Sequence, residues 1–440
     1  MQDSKSNRFL LTSWLSTADD WLSPTELQQE LQQQDQSPFL LSQSTLVSPP
    51  SQYSFTVRNP TKGRSRKRLV SEMNQETASN ASGESTRTTT TSTPSFHNRP
   101  ILNPTPPSSR QRSPSPTRKV LSQLRLARPS LRVCQPDIRV VQPPRVQQLR
   151  SMLVKKLSSG VIPRNFETRL RNVDPDLFEE PSSLFETAPT MHSTLYLDNL
   201  WKLTDKIYNE ARRCYDNHLD ESAWMKVVNN VLEAADLDQD SAMLRVHSIQ
   251  TQSIEPVFLP KHTSQSFAKK ADLALAFSSD HPKVAAALEP VHKANPDLAL
   301  SQMTDAYTST VPLVCCLKVK ERGGDYNEAI VQLGIWCTAG LERLRGLWVR
   351  TSDGSDGNSE LEELPPFLGW TVVGHDWKFH IVWKDASGNV IVLGPWRVLN
   401  AGTGSHTEIL ILLSLIQSVK RWLEGEYWAW LCENVLDKWR

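Results

Sequence analysis

PLVCCLKVKERGGDYNEAIVQLGIWC, residues 312–337, changes its period half-way along. Pro312 to Lys320 is a short apolar run ending in Lys318, Val319 and Lys320, and it reads as a strand. Alternate side chains of a strand share a face, so both lysines point the same way. Either that face wants two positive charges or it has lost a negative one. Gly323 and Gly324 stop the run. From Asp325 the apolar residues return at helical spacing: Ile330, Leu333, Cys337, Leu341 and Leu344 share a face, and Asp325 and Glu328 are spaced like a capping box.

Working outward, Leu195, Leu200, Leu203, Ile207 and Ala211 predict a helix. A second helix opens at Asp220, an N-cap residue, with Trp224, Val227, Val228, Val231 and Leu232 as its apolar stripe. Strand-like runs follow at 244–254 and 272–277, and the stretch between Asp272 and the 312–320 strand leaves room for an additional short helix. Beyond a Gly-, Ser- and Asp-rich loop at 351–359 come strands at 368–375, 378–384 and 390–398, the last two joined by the turn DASGN. An amphipathic helix closes the pattern from His406 to Leu423. This order predicts an α/β fold with a mixed sheet flanked by helices, over residues 145–436, with a poorly patterned stretch to about 190.

The chain before residue 145 has a different composition. Twelve of the 14 Trp lie beyond residue 200, whereas residues 40–145 are rich in Ser, Thr, Pro, Gln and Arg. Such a segment buries too little apolar surface to offset its chain entropy, so residues 1–144 are expected to be a disordered arm. The net charge of +1 hides an asymmetry: residues 51–160 hold 20 Lys and Arg against 4 acids, residues 1–50 hold 2 against 6, and the remainder is therefore −11. A basic arm on an acidic body suits a polyanion such as nucleic acid, although a charge-extended linker has the same composition. Lys62, Arg64, Arg66, Lys67 and Arg68 have the density of a nuclear-import signal, which points to the nucleus, with or without a cytoplasmic pool. Ser-Pro sites in SPSPTRK, 113–119, lie beside further basic residues. Near the start, Leu11, Trp14, Leu15, Trp21 and Leu22 form an amphipathic segment able to dock on a protein partner.

Other classes fit poorly. The six cysteines include no CxxC pair and no His at zinc spacing, so they read as small buried hydrophobes of a reducing compartment. No secretory leader opens the sequence, and the longest apolar run, 409–416, is too short to span a bilayer. The pair His375 and Asp376 reads as strand-end structure, since no nucleophile is spaced to use it. GTGS, 402–405, lacks the lysine of a phosphate loop and reads as a turn.

A magnesium-dependent phosphodiester hydrolase makes specific demands on such a core. A hard cation takes oxygen ligands from acids on neighbouring strands, and a nearby lysine orients water and offsets developing charge. Asp272 and Lys320 stand at two of the required places. The segments ESAWMKVV, KKADLALAF, LKVKERGGD, NEAIVQLGIW, GHDWKFHI and LGPWRV, in that order, resemble the PD-(D/E)XK nuclease-like domain family of uncharacterised fungal proteins, over residues 145–435. That resemblance implies a restriction-endonuclease-like sheet and a DNA partner. It also implies roles for Glu221 as the helix glutamate that supports the metal site, Asp272 as the first metal-binding acid, Lys320 as the motif lysine and Gln332 as a glutamine beside the site.

Each of these also has a plain structural reading, as a helix-start acid, a turn acid, a strand-end lysine and a helix-flank amide. Their joint pattern is what singles them out. Ala271 stands where the family name has proline. The larger departure is Lys318, which occupies the acid position of the E-x-K motif. An ammonium there removes a ligand, changes the local charge by two units and repels Mg²⁺. The sequence therefore points first to a DNA-binding, nuclease-like protein with weakened or lost catalysis. It leaves open an active Mg²⁺-dependent nuclease using Asp272, Lys320 and Glu221, and a non-catalytic protein-interaction module.

Overall fold

A computed structural model describes residues 116–174, 182–187, 192–237, 242–263, 265–349 and 364–440. All of them fall within one unit, Ile101–Arg440. The amphipathic segment at 11–22 and the basic cluster at 62–68 lie outside these residues.

In chain order the helices are α1 (Pro116–Leu124), α2 (Pro144–Ser158), α3 (Glu167–Val173), α4 (Thr194–Asp216), α5 (Glu221–Ala234), α6 (Pro282–Ala294), α7 (Tyr326–Val349), α8 (His406–Trp422) and α9 (Trp428–Asn434). The strands are β1 (Leu131–Cys134), β2 (Leu244–Ser248), β3 (Lys261–His262), β4 (Gln265–Ser266), β5 (Leu273–Phe277), β6 (Leu313–Lys320), β7 (Phe367–Val373), β8 (Asp376–Lys384), β9 (Val390–Leu393) and β10 (Ala401–Gly402). The main sheet runs β1-β9-β8-β7-β6-β5-β2, with β10 paired to β8. It is mixed, because β6 lies parallel to β7 and β1 parallel to β9, while the other ladders are antiparallel.

The predicted elements recur with four corrections. The first concerns the domain start. Folded chain begins well before residue 145: β1 pairs with β9 from Leu131↔Val390 to Cys134↔Leu393, Leu131 is buried, and Thr117 to Lys119 of SPSPTRK belong to α1. Four residues of edge strand carry too few apolar positions to stand out from an Arg- and Pro-rich background. The weakly patterned stretch that follows also packs, with Val146, Leu149 and Leu153 of α2 buried. The second concerns α4, whose buried stripe is Leu197, Leu200, Thr204, Ile207, Ala211 and Cys214, whereas Leu195 is 72% exposed. The third shortens 244–254 to β2: pairing ends at Ser248↔Leu273, followed only by the Ile249 N–H donating to the Asp272 carbonyl at 2.9 Å. The fourth shortens 390–398 to β9, after which Arg397–Leu399 form a 3-10 turn.

Where α7 crosses the sheet it is apolar on nearly every side, since it is covered both by β6 and β7 and by neighbouring helices. Gly369 of β7 permits the close approach: a Cβ there would lie 2.8 Å from the Cys316 carbonyl oxygen and 2.9 Å from Leu333 Cδ1. Backbone cannot yield as a flexible side chain does. Gly369→Ala is therefore expected to destabilise by about 1–3 kcal/mol in urea unfolding, as overpacked cores do.

Candidate active site

The site is built at the ends of three elements. Asp220 caps α5, its carboxylate accepting from the Ala223 N–H at 3.1 Å, and Glu221 is the first helical residue. Trp224, Val227, Val228 and Val231 bury the same helix against the sheet, which holds the Glu221 carboxylate over the end of β6. Asp272 immediately precedes β5. The ladder pairs Leu273 with Leu317, so one step further sets Asp272 beside Lys318, and the backbone confirms it: the Asp272 N–H donates to the Leu317 carbonyl at 3.1 Å.

Lys318 is 5% exposed, yet both acids reach it. Its Nζ donates to Asp272 Oδ1 at 2.7 Å and to Glu221 Oε1 at 3.1 Å. The second Asp272 oxygen, Oδ2, accepts from the Val319 N–H at 2.7 Å. Two residues on, Lys320 shares the face, as strand alternation requires. Its Nζ lies 3.1 Å from Glu328 Oε2 and 3.7 Å from Glu221 Oε2. Gln332, one turn along α7, donates from Nε2 to Glu328 Oε1 at 3.3 Å. The result is an alternating row, Asp272, Lys318, Glu221, Lys320, Glu328, Gln332.

Burial raises the Asp272 carboxyl above its ordinary range, and the hydrogen bonds from Lys318 and Val319 pull it part of the way back. For Lys320, burial works to lower the ammonium, but Glu328 and Glu221 outweigh it and the net shift is upward. Both lysines thus face carboxylates, and Lys318 is the more deeply enclosed.

All the sequence-predicted site residues, Glu221, Asp272, Lys318, Lys320 and Gln332, converge. Glu328 was missed. Its position three residues after Asp325 suggested a reciprocal cap, but only Asp325 caps, through its Oδ1 and the Asn327 N–H at 2.8 Å. Glu328 turns instead to Lys320. The available signal was its i,i+4 relation to Gln332 on the face directed at the strand end.

Mg²⁺ takes near-octahedral oxygen coordination at close range. Here the Asp272 and Glu221 oxygens that would converge on such an ion already converge on the Lys318 ammonium, and the other Asp272 oxygen holds a backbone N–H. The residues present do not fit the ion. Among the described residues no group of three or more His, Cys, Asp or Glu side chains is arranged to hold a metal.

A family profile described as the PD-(D/E)XK nuclease superfamily matches residues 169–428. The chain belongs to that superfamily. Its mixed sheet flanked by helices is the PD-(D/E)XK architecture, and the superfamily is associated with nucleic-acid substrates. Comparison with curated proteins finds no match. No described helix of this PD-(D/E)XK chain is long and apolar enough to cross a membrane.

Beside the site, His375 has the structural surroundings expected of it: Nδ1 lies 3.1 Å from Thr403 Oγ1, and the ring packs on Tyr215 and Trp224. Asp376 is largely exposed. His380 is fully buried, with Nε2 3.0 Å from Thr371 Oγ1, and burial pushes its pKa down to about 3. In the unfolded chain it takes up a proton near 6.5, so between 6.5 and about 3 only the unfolded state is protonated. Stability contributed by neutral His380 is thus present above pH 6.5 and falls by about 1.4 kcal/mol per unit below it. In His380→Leu, stability measured against pH should lose that slope, whatever its absolute value.

Proposed function

We propose that this protein is a PD-(D/E)XK-fold, DNA-binding protein whose metal position is filled by its own lysine, so that it does not hydrolyse phosphodiesters. One observation carries the reading: Lys318 Nζ bridges Asp272 and Glu221 inside the fold. A tethered ammonium supplies one positive charge to the two acids. It offers no open coordination position and lowers no water pKa.

For the protein to act as a Mg²⁺-dependent nuclease through Asp272, Lys320 and Glu221, Lys318 would have to leave both partners. Breaking a buried ion pair in this way costs about 3–5 kcal/mol, before any metal is bound against the remaining charge. Lys320 keeps its pairs with Glu328 and Glu221 in this reading, and Gln332 keeps its hydrogen bond to Glu328.

We place the chain with the fungal nuclease-like group on the order of its sequence words. We further propose nuclear residence directed by Lys62, Arg64, Arg66, Lys67 and Arg68, and a protein partner for the 11–22 segment. Charge density and amphipathic spacing support these assignments.

The test is incubation of the purified full chain with plasmid and oligonucleotide DNA in Mg²⁺ or Mn²⁺. No cleavage is expected. Metal-dependent cleavage that disappears in Asp272→Ala would overturn the reading, and absence of any DNA binding at low salt would favour a protein-interaction module.

A further inference from the structure

Residues 116–136 contain Arg118, Lys119, Arg125, Arg128 and Arg132 and no acid; residues 256–271 contain Lys261, Lys269 and Lys270 and no acid. These two segments pack together in a body whose residues 161–440 carry a net charge of −11. Helix α1 packs on β3, and the chain after it exchanges two backbone hydrogen bonds with β3: the Arg128 N–H donates to the Lys261 carbonyl at 2.8 Å, and the Lys261 N–H returns to the Arg128 carbonyl at 3.1 Å.

That exchange makes Arg128 and Lys261 a directly opposed antiparallel pair, with side chains on one face. Like charges in such positions repel and weaken the pairing. Both side chains are exposed, and neither has an ion-pair partner among the described residues. Lys119 is also exposed and stands in the first turn of α1, which holds no acid, although a helix N-terminus disfavours cations. No ion pair among the described residues therefore uses these three exposed charges, and like charges clustered on one surface suit a polyanion.

The face borders the candidate site. Thr117 Oγ1 donates to Asp325 Oδ2 at 3.1 Å, and Asp325 caps the helix that brings Glu328 to Lys320. At its other end Lys269 and Lys270 lead directly into Asp272. Residues 116–136 precede the family-matched region, so Lys119 and Arg128 lie outside it, whereas Lys261 and Lys269 fall within it.

We infer that Lys119, Arg128, Lys261 and Lys269 form a phosphate-binding face that holds the sugar-phosphate backbone of a nucleic acid alongside the lysine-filled site. The inference rests on the nucleic-acid-binding reading above and adds the surface that does the holding. Contacts of this kind position a nucleic acid without reading its sequence.

The experiment is fluorescence-anisotropy titration of the full chain, over a range of salt concentrations, against a DNA duplex, an RNA duplex of the same sequence and anionic lipid vesicles. The variant replaces all four residues by Gln. Its slope of log affinity against log salt on DNA should fall by about 3.6, at roughly 0.9 for each of four lost phosphate contacts, with affinity at least about tenfold weaker. The two duplexes tell whether the backbone bound is that of DNA or RNA. Lys261→Glu alone, which places an acid opposite Arg128, should raise Tm in the absence of ligand while weakening duplex binding. That combination is not expected of a merely structural residue.

If the unsubstituted protein binds neither duplex at low salt, the nucleic-acid reading itself fails. If it binds and the four-residue variant keeps both slope and affinity, this face alone is refuted and the nucleic-acid reading stands. Vesicle binding lost in the variant, with duplex binding unchanged, would overturn the nucleic-acid assignment of the face.

Discussion

Lys318→Glu is expected to convert a metal-independent protein into one whose stability and chemistry both depend on a divalent ion. The substitution sets a third carboxylate against Asp272 and Glu221 where an ammonium now joins them. In a chelator, attraction lost and repulsion gained should reduce stability by about 3–5 kcal/mol, the range for breaking a buried ion pair. Added Mg²⁺ or Mn²⁺ then binds the folded state selectively and restores about 2.7 kcal/mol at a concentration one hundred times its Kd. Thermal unfolding with and without metal reads this directly, and calorimetry should show metal binding absent from the unsubstituted chain. DNA cleavage should appear with the metal and vanish when Asp272→Ala is added. A Tm indifferent to metal in Lys318→Glu would mean that Glu221 and Asp272 do not mark a cation position.

The second large effect concerns the pair itself. Asp272→Ala leaves the Lys318 ammonium without its nearest acid and the Val319 N–H without its acceptor, both inside the fold. Removing one member of a buried ion pair destabilises by about 3–5 kcal/mol, because the surviving charge stays desolvated. Asp272→Leu combined with Lys318→Met removes both charges and keeps apolar volume. That double variant should be at least about 2 kcal/mol more stable than Asp272→Ala, although the Val319 N–H remains unpaired and still costs about 1–3 kcal/mol. Urea unfolding of the single and double variants measures the coupling. Losses that simply add would show that the two charges do not depend on each other.

The pair also explains how a lysine is tolerated at a position 5% exposed. Two acids from different elements meet it, Glu221 from a helix start and Asp272 from a strand start. Each acid supplies one of the two hydrogen bonds that hold the buried ammonium. Within this PD-(D/E)XK fold both acids hold an ammonium.

Much of this was legible before any coordinates. Period-2 and period-3.6 patterning separated β6 from α7 at Gly323 and Gly324, and Asp220 announced α5. The order of elements implied a mixed sheet, because apolar patterning reports the local face that each element buries. Edge strand β1 was not legible: its four residues pair with β9, 256 or more positions away, and nothing local in Leu131–Cys134 records that partner. Leu195 was misassigned for a related reason, since the first turn of a helix projects beyond the surface that covers the rest.

By itself the sequence determined the elements, their order, the charge contrast between residues 51–160 and the rest of the chain, and that Lys318 puts an ammonium on the strand face it shares with Lys320. Tertiary structure decided what that ammonium does. Whether Lys318 swings out to water or turns inward depends on where Glu221 and Asp272 sit, 97 and 46 residues away in the chain. The same holds for Arg128 and Lys261, whose opposition exists only once two distant segments pair. Coulomb interactions act over a few ångströms of space and take no account of chain separation, so only the packed fold brings these charges within reach of each other.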